Sequence, residues 1–201
     1  PPTYNQIGPS SMAFSPDGKI VYLTGYLWEN FVNFDGSMQA VFKVNYESND
    51  EMSVFVGDKA VKAFGSDDTH FATPTSVDTD AAGNVYVSDF GNNRIQILEP
   101  SGKVLKSISV KFPAKVMVNQ KTGEIYVVSW AVFGLPIDLQ KQIGYKPKEV
   151  IEKIYIYSPY PEMNLKLESN FPIESPTPGQ GFTCGQRYYL TFDSWAESPT
   201  I

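Results

Sequence analysis

The chain has 201 residues, 42% of them apolar and 19% charged, and 22 acidic against 16 basic side chains leave a net charge of -6. That composition belongs to an ordinary folded protein and excludes extended disorder. The basic residues stand singly among acids, so no cluster exists to neutralise a run of phosphates, and nucleic acid is not an expected partner.

No apolar run approaches the ~20 residues that span a bilayer, so no membrane span is expected. Cys184 is the single cysteine, which rules out an intrachain disulfide. Tyr and Phe are abundant and Gly and Pro recur at short intervals, a pattern of short strands and tight turns with little room for long helices. The chain begins Pro1-Pro2 without a methionine, from which a removed leader or a preceding domain is expected.

In chain order, the first unit opens with a strand over residues 9–14 (PSSMAF), a Ser-Pro-Asp-Gly turn ending at Gly18, and a second strand carrying Tyr22. An insertion, residues 25–39, then carries Tyr26, Leu27, Trp28, Phe31, Val32 and Phe34 before a third strand over residues 40–44 (AVFKV). His70, the sole histidine, lies in the linker behind Asp67-Asp68-Thr69 and is expected to be a solvated loop residue. One histidine and one cysteine, far apart in sequence, do not make a zinc site.

The second unit repeats the pattern: residues 74–77 (PTSV), an Asp-Ala-Ala-Gly turn ending at Gly83, and a strand with Tyr86. Asp89-Phe90-Gly91-Asn92-Asn93 leads into a third strand over 94–98 (RIQIL), and a Glu-Pro-Ser-Gly turn leads into a fourth over 103–108 (KVLKSI). Glycine supplies the positive φ that such hairpin turns need. Asp78, Asp80 and Asn84 superficially suggest a calcium loop, but no bidentate Glu follows at the expected place, so a plain turn is expected.

The third unit has a strand over 113–118 (PAKVMV), a turn ending at Gly123, a strand with Tyr126, and a third strand over 153–157 (KIYIY). Between the second and third strands lies another long insertion, residues 130–150, with Trp130, Phe133, Leu135, Ile137, Leu139 and Tyr145. A Pro-rich stretch over 172–178 connects to a last partial unit, residues 182–193 (FTCGQRYYLTFD).

Three glycine-centred units, with Gly83 and Gly123 at the ~40-residue spacing of a four-stranded blade, predict an all-β chain. The expected fold is a β-propeller of four-stranded antiparallel blades, about three of them plus a partial one. The blades are placed at 8–57, 72–110 and 112–170, and the partial one at 181–201. Closed propellers need roughly four to eight blades, so the remainder is expected from a longer parent chain.

The run Gly83-Asn84-Val85-Tyr86-Val87-Ser88-Asp89 followed by Asn92-Asn93-Arg94-Ile95-Gln96-Ile97 resembles the NHL repeat, specifically over residues 74–108 and more weakly in the flanking units. The resemblance implies a six-bladed type of propeller in which the Asn-rich turn holds the loop and Arg94 stacks or pairs between blades, with ligand contact by Asp89, Asn92 and Arg94 as the alternative. Residues 8–18 (GPSSMAFSPDG) are also similar, distantly, to gluconolactonase-like propellers, which hold a divalent cation with channel oxygens. Ser10-Ser11 stands where that family commonly has Asn-Gly, so one such ligand is missing here.

Both insertions fall at the same connection, and equivalent loops of different blades emerge on one face. Their aromatics either form a binding surface, with Tyr26, Trp28, Phe31, Phe34, Trp130, Phe133 and Tyr145 as candidate contacts, or pack together as a satellite core. The expected function is noncatalytic binding of a protein domain or of a small-molecule or carbohydrate ligand, within a larger exported protein of bacterial type, periplasmic or extracellular. No cofactor is expected on that reading. A rival is a metal-dependent hydrolase or lactonase with Ca or another divalent cation held in the channel by Asp89 and Asp193. A third reading is the propeller of a redox assembly whose cofactors lie on neighbouring domains. No Gly-x-Ser-x-Gly nucleophile motif is present.

Overall fold

Each predicted glycine turn closes a hairpin in the computed structural model, which describes residues 9, 11–24, 38–61, 63–132, 135, 137–170 and 192–197. Gly18, Gly83 and Gly123 have φ of 72°, 89° and 72°, and their N–H groups donate back to the carbonyls of Ser15, Asp80 and Asn119. Asp80 organises its turn fully: Oδ1 accepts the N–H groups of Ala82 and Asn84, and Oδ2 accepts Asn84 Nδ2 and the Tyr86 hydroxyl. This is the plain turn that the sequence indicated.

Strands β1 (Ser11–Phe14), β2 (Ile20–Thr24), β3 (Met38–Asn45) and β4 (Ser53–Val61) form the first antiparallel sheet in sequence order. The second contains β5 (Pro74–Thr79), β6 (Val85–Asp89), β7 (Arg94–Leu98) and β8 (Val104–Ser109). The third contains β9 (Pro113–Val118), β10 (Ile125–Ser129), β11 (Lys153–Tyr157) and β12 (Leu165–Asn170). Each sheet is one propeller blade. The repeat tyrosine has the same place in each, Tyr22 opposite Ala13, Tyr86 opposite Asp78 and Tyr126 opposite Met117.

Side chains alternate across a strand, so a blade between two others buries both faces. β6 and β10 are accordingly buried at every position. On one side Val85, Val87 and Leu98 meet Tyr22 and Val41 of the first blade and Phe71 of the segment that joins the two blades. On the other, Tyr86, Ile95 and Ile97 meet Val116, Val118, Ile125 and Val127 of the third. Each fully buried aliphatic side chain in these layers contributes about 1.5–3 kcal/mol relative to exposure. The outer face of the first blade leaves Met12 and Phe14 exposed, and β12 is exposed throughout.

The first strands of the blades are neighbours, with β5 beside both β1 and β9. Serines join them. Ser11 Oγ accepts Val77 N–H and donates to Val77 C=O, and Ser76 Oγ does the same for Val116. Each hydroxyl thus satisfies both backbone groups of a residue on the next blade, groups that would be costly to bury alone. A second link repeats at the strand entrances. Thr73 and Phe112, each preceding a proline and each at positive φ, donate their N–H groups to Gln39 Oε1 and Asn93 Oδ1 of the preceding blade.

Next to Ser76 on the ladder, Ser88 is fully buried, and its Oγ has no hydrogen-bond partner among the described residues. A buried hydroxyl without a partner carries a desolvation cost of about 1–3 kcal/mol. Ser88→Ala is therefore expected to leave the melting temperature unchanged or raise it slightly. A clear fall would show that the hydroxyl is bonded in solution.

Candidate functional site

The Asn-rich turn is built around a buried carboxylate. Asp89 ends β6 fully buried; Oδ1 accepts Ala72 N–H at 2.8 Å, and Oδ2 accepts Asn92 Nδ2 at 2.8 Å and Arg94 Nε at 2.7 Å. Phe90–Asn92 forms one turn of 3-10 helix, and Asn93 follows it in the left-handed region at φ 53°. Asparagine tolerates that conformation better than most residues. Burial pushes the Asp89 carboxyl up to about 6, against the opposing pull of Ala72 N–H, Asn92 and Arg94.

Arg94 spends its other donors on the backbone: Nη1 on Ser66 C=O, Nη2 on the carbonyls of Asp67 and His70. It ties the linker between the first two blades to the second. His70 itself is half-exposed, with Nδ1 2.8 Å from Asp67 Oδ1, and that hydrogen bond holds the Asp67 carboxyl well below its usual range. Asp89, Asn92 and Arg94 therefore form one network whose polar atoms face the protein. A cation at Asp89 would have to displace Asn92 and Arg94. Asp193, the other residue of the proposed channel pair, is exposed, and its Oδ1 accepts Trp195 N–H. Among the described residues no three His, Cys, Asp or Glu side chains gather in a group that could hold a metal ion.

The insertion of the third blade folds back on the sheets. It contains a short helix, α1 (Ile137–Gln142), whose Leu139 is buried with Leu135 and Tyr145 against Ala72, Phe90, Phe112 and Ala114. The Tyr145 ring meets Phe90 and Phe112 edge-on, with centroids 5.2 and 4.9 Å away. Its hydroxyl accepts Val132 N–H and donates to Val132 C=O, and burial pushes its pKa up to about 12. Trp130 packs half-buried at the edge of the same cluster. Tyr145 and Trp130 of this insertion thus join a satellite core over the second and third blades, leaving Ile137 and Ile151 outside, 68% and 62% exposed. Tyr26, Trp28, Phe31, Phe34, Phe133 and Cys184 lie outside the described residues.

A polar group absent from the sequence-based candidates lies on the first strands. Lys115 of β9 directs Nζ to Ser11 Oγ of β1 at 3.2 Å, and Ser11 Oγ is 3.3 Å from Ser76 Oγ of β5. Asp78 of β5 accepts the N–H groups of Thr79 and Val118. Burial raises the Asp78 carboxyl and lowers the Lys115 ammonium, and each of the pair opposes the other's shift. The signal available in sequence was the strand phase, since counting from the opening proline puts Lys115 where the other units have Ser11 and Ser76.

Residues 71–98 match the family model of the NHL repeat. No curated protein matches the sequence. Among solved structures, U3-55K is similar with a TM-score of 0.50 and 11% identity, over 82% of this chain and 39% of that one. The calcium-binding protein regucalcin from Agrobacterium tumefaciens has a TM-score of 0.49 and 15% identity over 80% and 46%. A gluconolactonase from Xanthomonas campestris has a TM-score of 0.43 and 16% identity over 59% and 34%. The chain spans less than half the length of each of these structures. At such identities a likeness speaks to fold alone.

Proposed function

We propose, from the premise that this chain is a stretch of β-propeller carrying an NHL repeat, that it works as a noncatalytic binding domain for a protein partner within a larger exported protein. One observation supports this above the others: residues 137–145 of the insertion after β10 form a platform anchored on the sheets by Leu139 and Tyr145, with α1 presented outward. Because Tyr145 is committed to the fold, the outward face of α1 offers Ile137, Asp138, Lys141 and Gln142 instead of stacked aromatic rings. That mixture suits a protein surface better than the aromatic platform a sugar requires.

The rival reading, a cation-dependent lactonase, draws no support from Asp89, whose oxygens are occupied by protein donors. A photo-crosslinking residue at position 137 is expected to capture a discrete protein species in cells that the same residue at position 48 does not. Equal capture at both positions, or lactone hydrolysis by the purified chain that depends on added divalent cation, would overturn the proposal.

A further inference from the structure

The two joints between the blades use the same positions of the repeat, which strand pairing identifies. Met12 pairs with Leu23 as Val77 pairs with Val87 and Val116 with Val127. Phe14 pairs with Val21 as Thr79 pairs with Val85 and Val118 with Ile125. In the second and third blades these first-strand positions are buried against the preceding blade. In the first blade they are Met12 and Phe14, 59% and 48% exposed.

The face they stand on is continuous. Met12, Leu23, Phe42 and Val54 are paired in turn across all four strands of the first sheet, so they share one side of it. Beside that row the Phe14 ring meets the exposed Tyr46 ring edge-on at 5.9 Å. Single exposed apolar side chains are ordinary, whereas a contiguous set marks an interaction surface. The backbone carries the same mark. Ser11 and Ser76 serve the N–H and C=O of Val77 and Val116, the residues equivalent to Met12 on the next blade. Met12 has no hydroxyl at those two groups among the described residues.

We propose that this face of the first blade is the docking surface for a further four-stranded blade, supplied by the same polypeptide outside residues 1–201. It is the next member of a series of two joints already in place, and those joints define what the incoming blade presents. Both have, on the covering side, a serine two residues after the opening proline (Pro9 to Ser11, Pro74 to Ser76). Both add a tyrosine on the second strand (Tyr22, Tyr86) and a β-branched residue on the third (Val41, Ile95). The incoming serine would serve the Met12 backbone, and the tyrosine and β-branched side chains would cover Met12 and Phe14. A second copy of this chain does not fit that description. Its third blade has Lys115 in place of the serine, and its Tyr126 is already buried, with the Phe192 ring 4.9 Å away. The inference rests on the blade repeat and not on the α1 platform, so failure of one reading leaves the other standing.

The test sets the native polypeptide beside the 201-residue chain. Methionine oxidation by dilute peroxide follows exposure, so in the 201-residue chain Met12 should react about tenfold or more faster than the buried Met163. In the native polypeptide Met12 should become as slow as Met163. A photo-crosslinking residue at position 12 should there form a link within one molecule, to a sequence outside residues 1–201 with the Pro-x-Ser strand and the following tyrosine. Met12→Asp gives an independent reading: melting of the 201-residue chain should not change, because the position is exposed, while that of the native polypeptide should fall by several degrees. Fast oxidation of Met12 in the native polypeptide, or protection of Met12 already in the 201-residue chain, would overturn the proposal. So would a crosslink to a second copy, to another protein or to residues 1–201, or the same melting shift in both proteins.

Discussion

Replacing Asp89 with alanine is expected to remove about 3–5 kcal/mol of stability, the scale for taking one partner from a buried charge pair. Melting should fall by roughly 6–20 °C in a chain of this size. Three donors lose their acceptor at once: Ala72 N–H, Asn92 Nδ2 and Arg94 Nε. Arg94, still carrying its charge, is then held only by the carbonyls of Ser66, Asp67 and His70. The linker between the first two blades should loosen with it, which hydrogen exchange at residues 66–70 would detect. Asp89→Asn keeps the volume and one acceptor, so a smaller loss is expected.

The same pair of proteins gives a pH test. The Asp89 carboxyl is raised to about 6 in the fold, against about 3.9 in an unfolded chain. Between those values the folded state holds a proton that the unfolded chain has released. Stability credited to this residue is therefore greatest below about pH 4 and falls as pH rises through about 6, by roughly 3 kcal/mol at 1.36 kcal/mol per unit. Asp89→Asn has no titration at this position, so wild type minus variant, plotted against pH, should show that fall directly. A difference that instead grows with rising pH would mean that the Arg94 and Asn92 contacts outweigh burial.

Strands whose chemistry is local were legible in the sequence. β7, β9 and β11 run over the residues expected of them because each alternates or is apolar between a defined turn and a proline or charged boundary. β12 was not read, since all of its residues are exposed and no apolar period marks it. β4 escaped for a related reason: its apolar residues are broken by Gly57 and Asp58, and its pairing with β3 shifts register twice. The left-handed tolerance expected of the Asn-rich turn is found at Asn93. Arg94 pairs with Asp89 five residues away and with the carbonyls of Ser66 and Asp67 in the linker between blades, contacts across 28 and 27 residues that periodicity does not encode. Lys115 was overlooked for the same kind of reason. Its significance appears only when β1, β5 and β9 are laid side by side and a lysine is found in a row of serines.

Leu139→Ala is expected to cost about 2–5 kcal/mol, the range for emptying a buried aliphatic site, but to spend that loss locally. Among the described residues of the insertion the buried ones, Leu135, Leu139 and Tyr145, all fall in one cluster. The blades themselves are held by two separate layers, one on each side of the second sheet. Weakening the first cluster should therefore raise the rate at which a protease cuts within residues 131–150, while the sheets melt close to the wild-type temperature. Tyr145→Phe probes the polar half of the anchor: it retains the ring contacts with Phe90 and Phe112 but leaves Val132 N–H and C=O without the hydroxyl. A loss of about 1–3 kcal/mol is expected, again read as faster cleavage of the insertion. Both variants should also reduce capture from position 137, because a platform that opens locally no longer presents α1 in a single geometry. If instead sheets and insertion melt together at a lower temperature, the insertion belongs to the cooperative core of the propeller, and its exposed face is fixed as firmly as the blades beneath it.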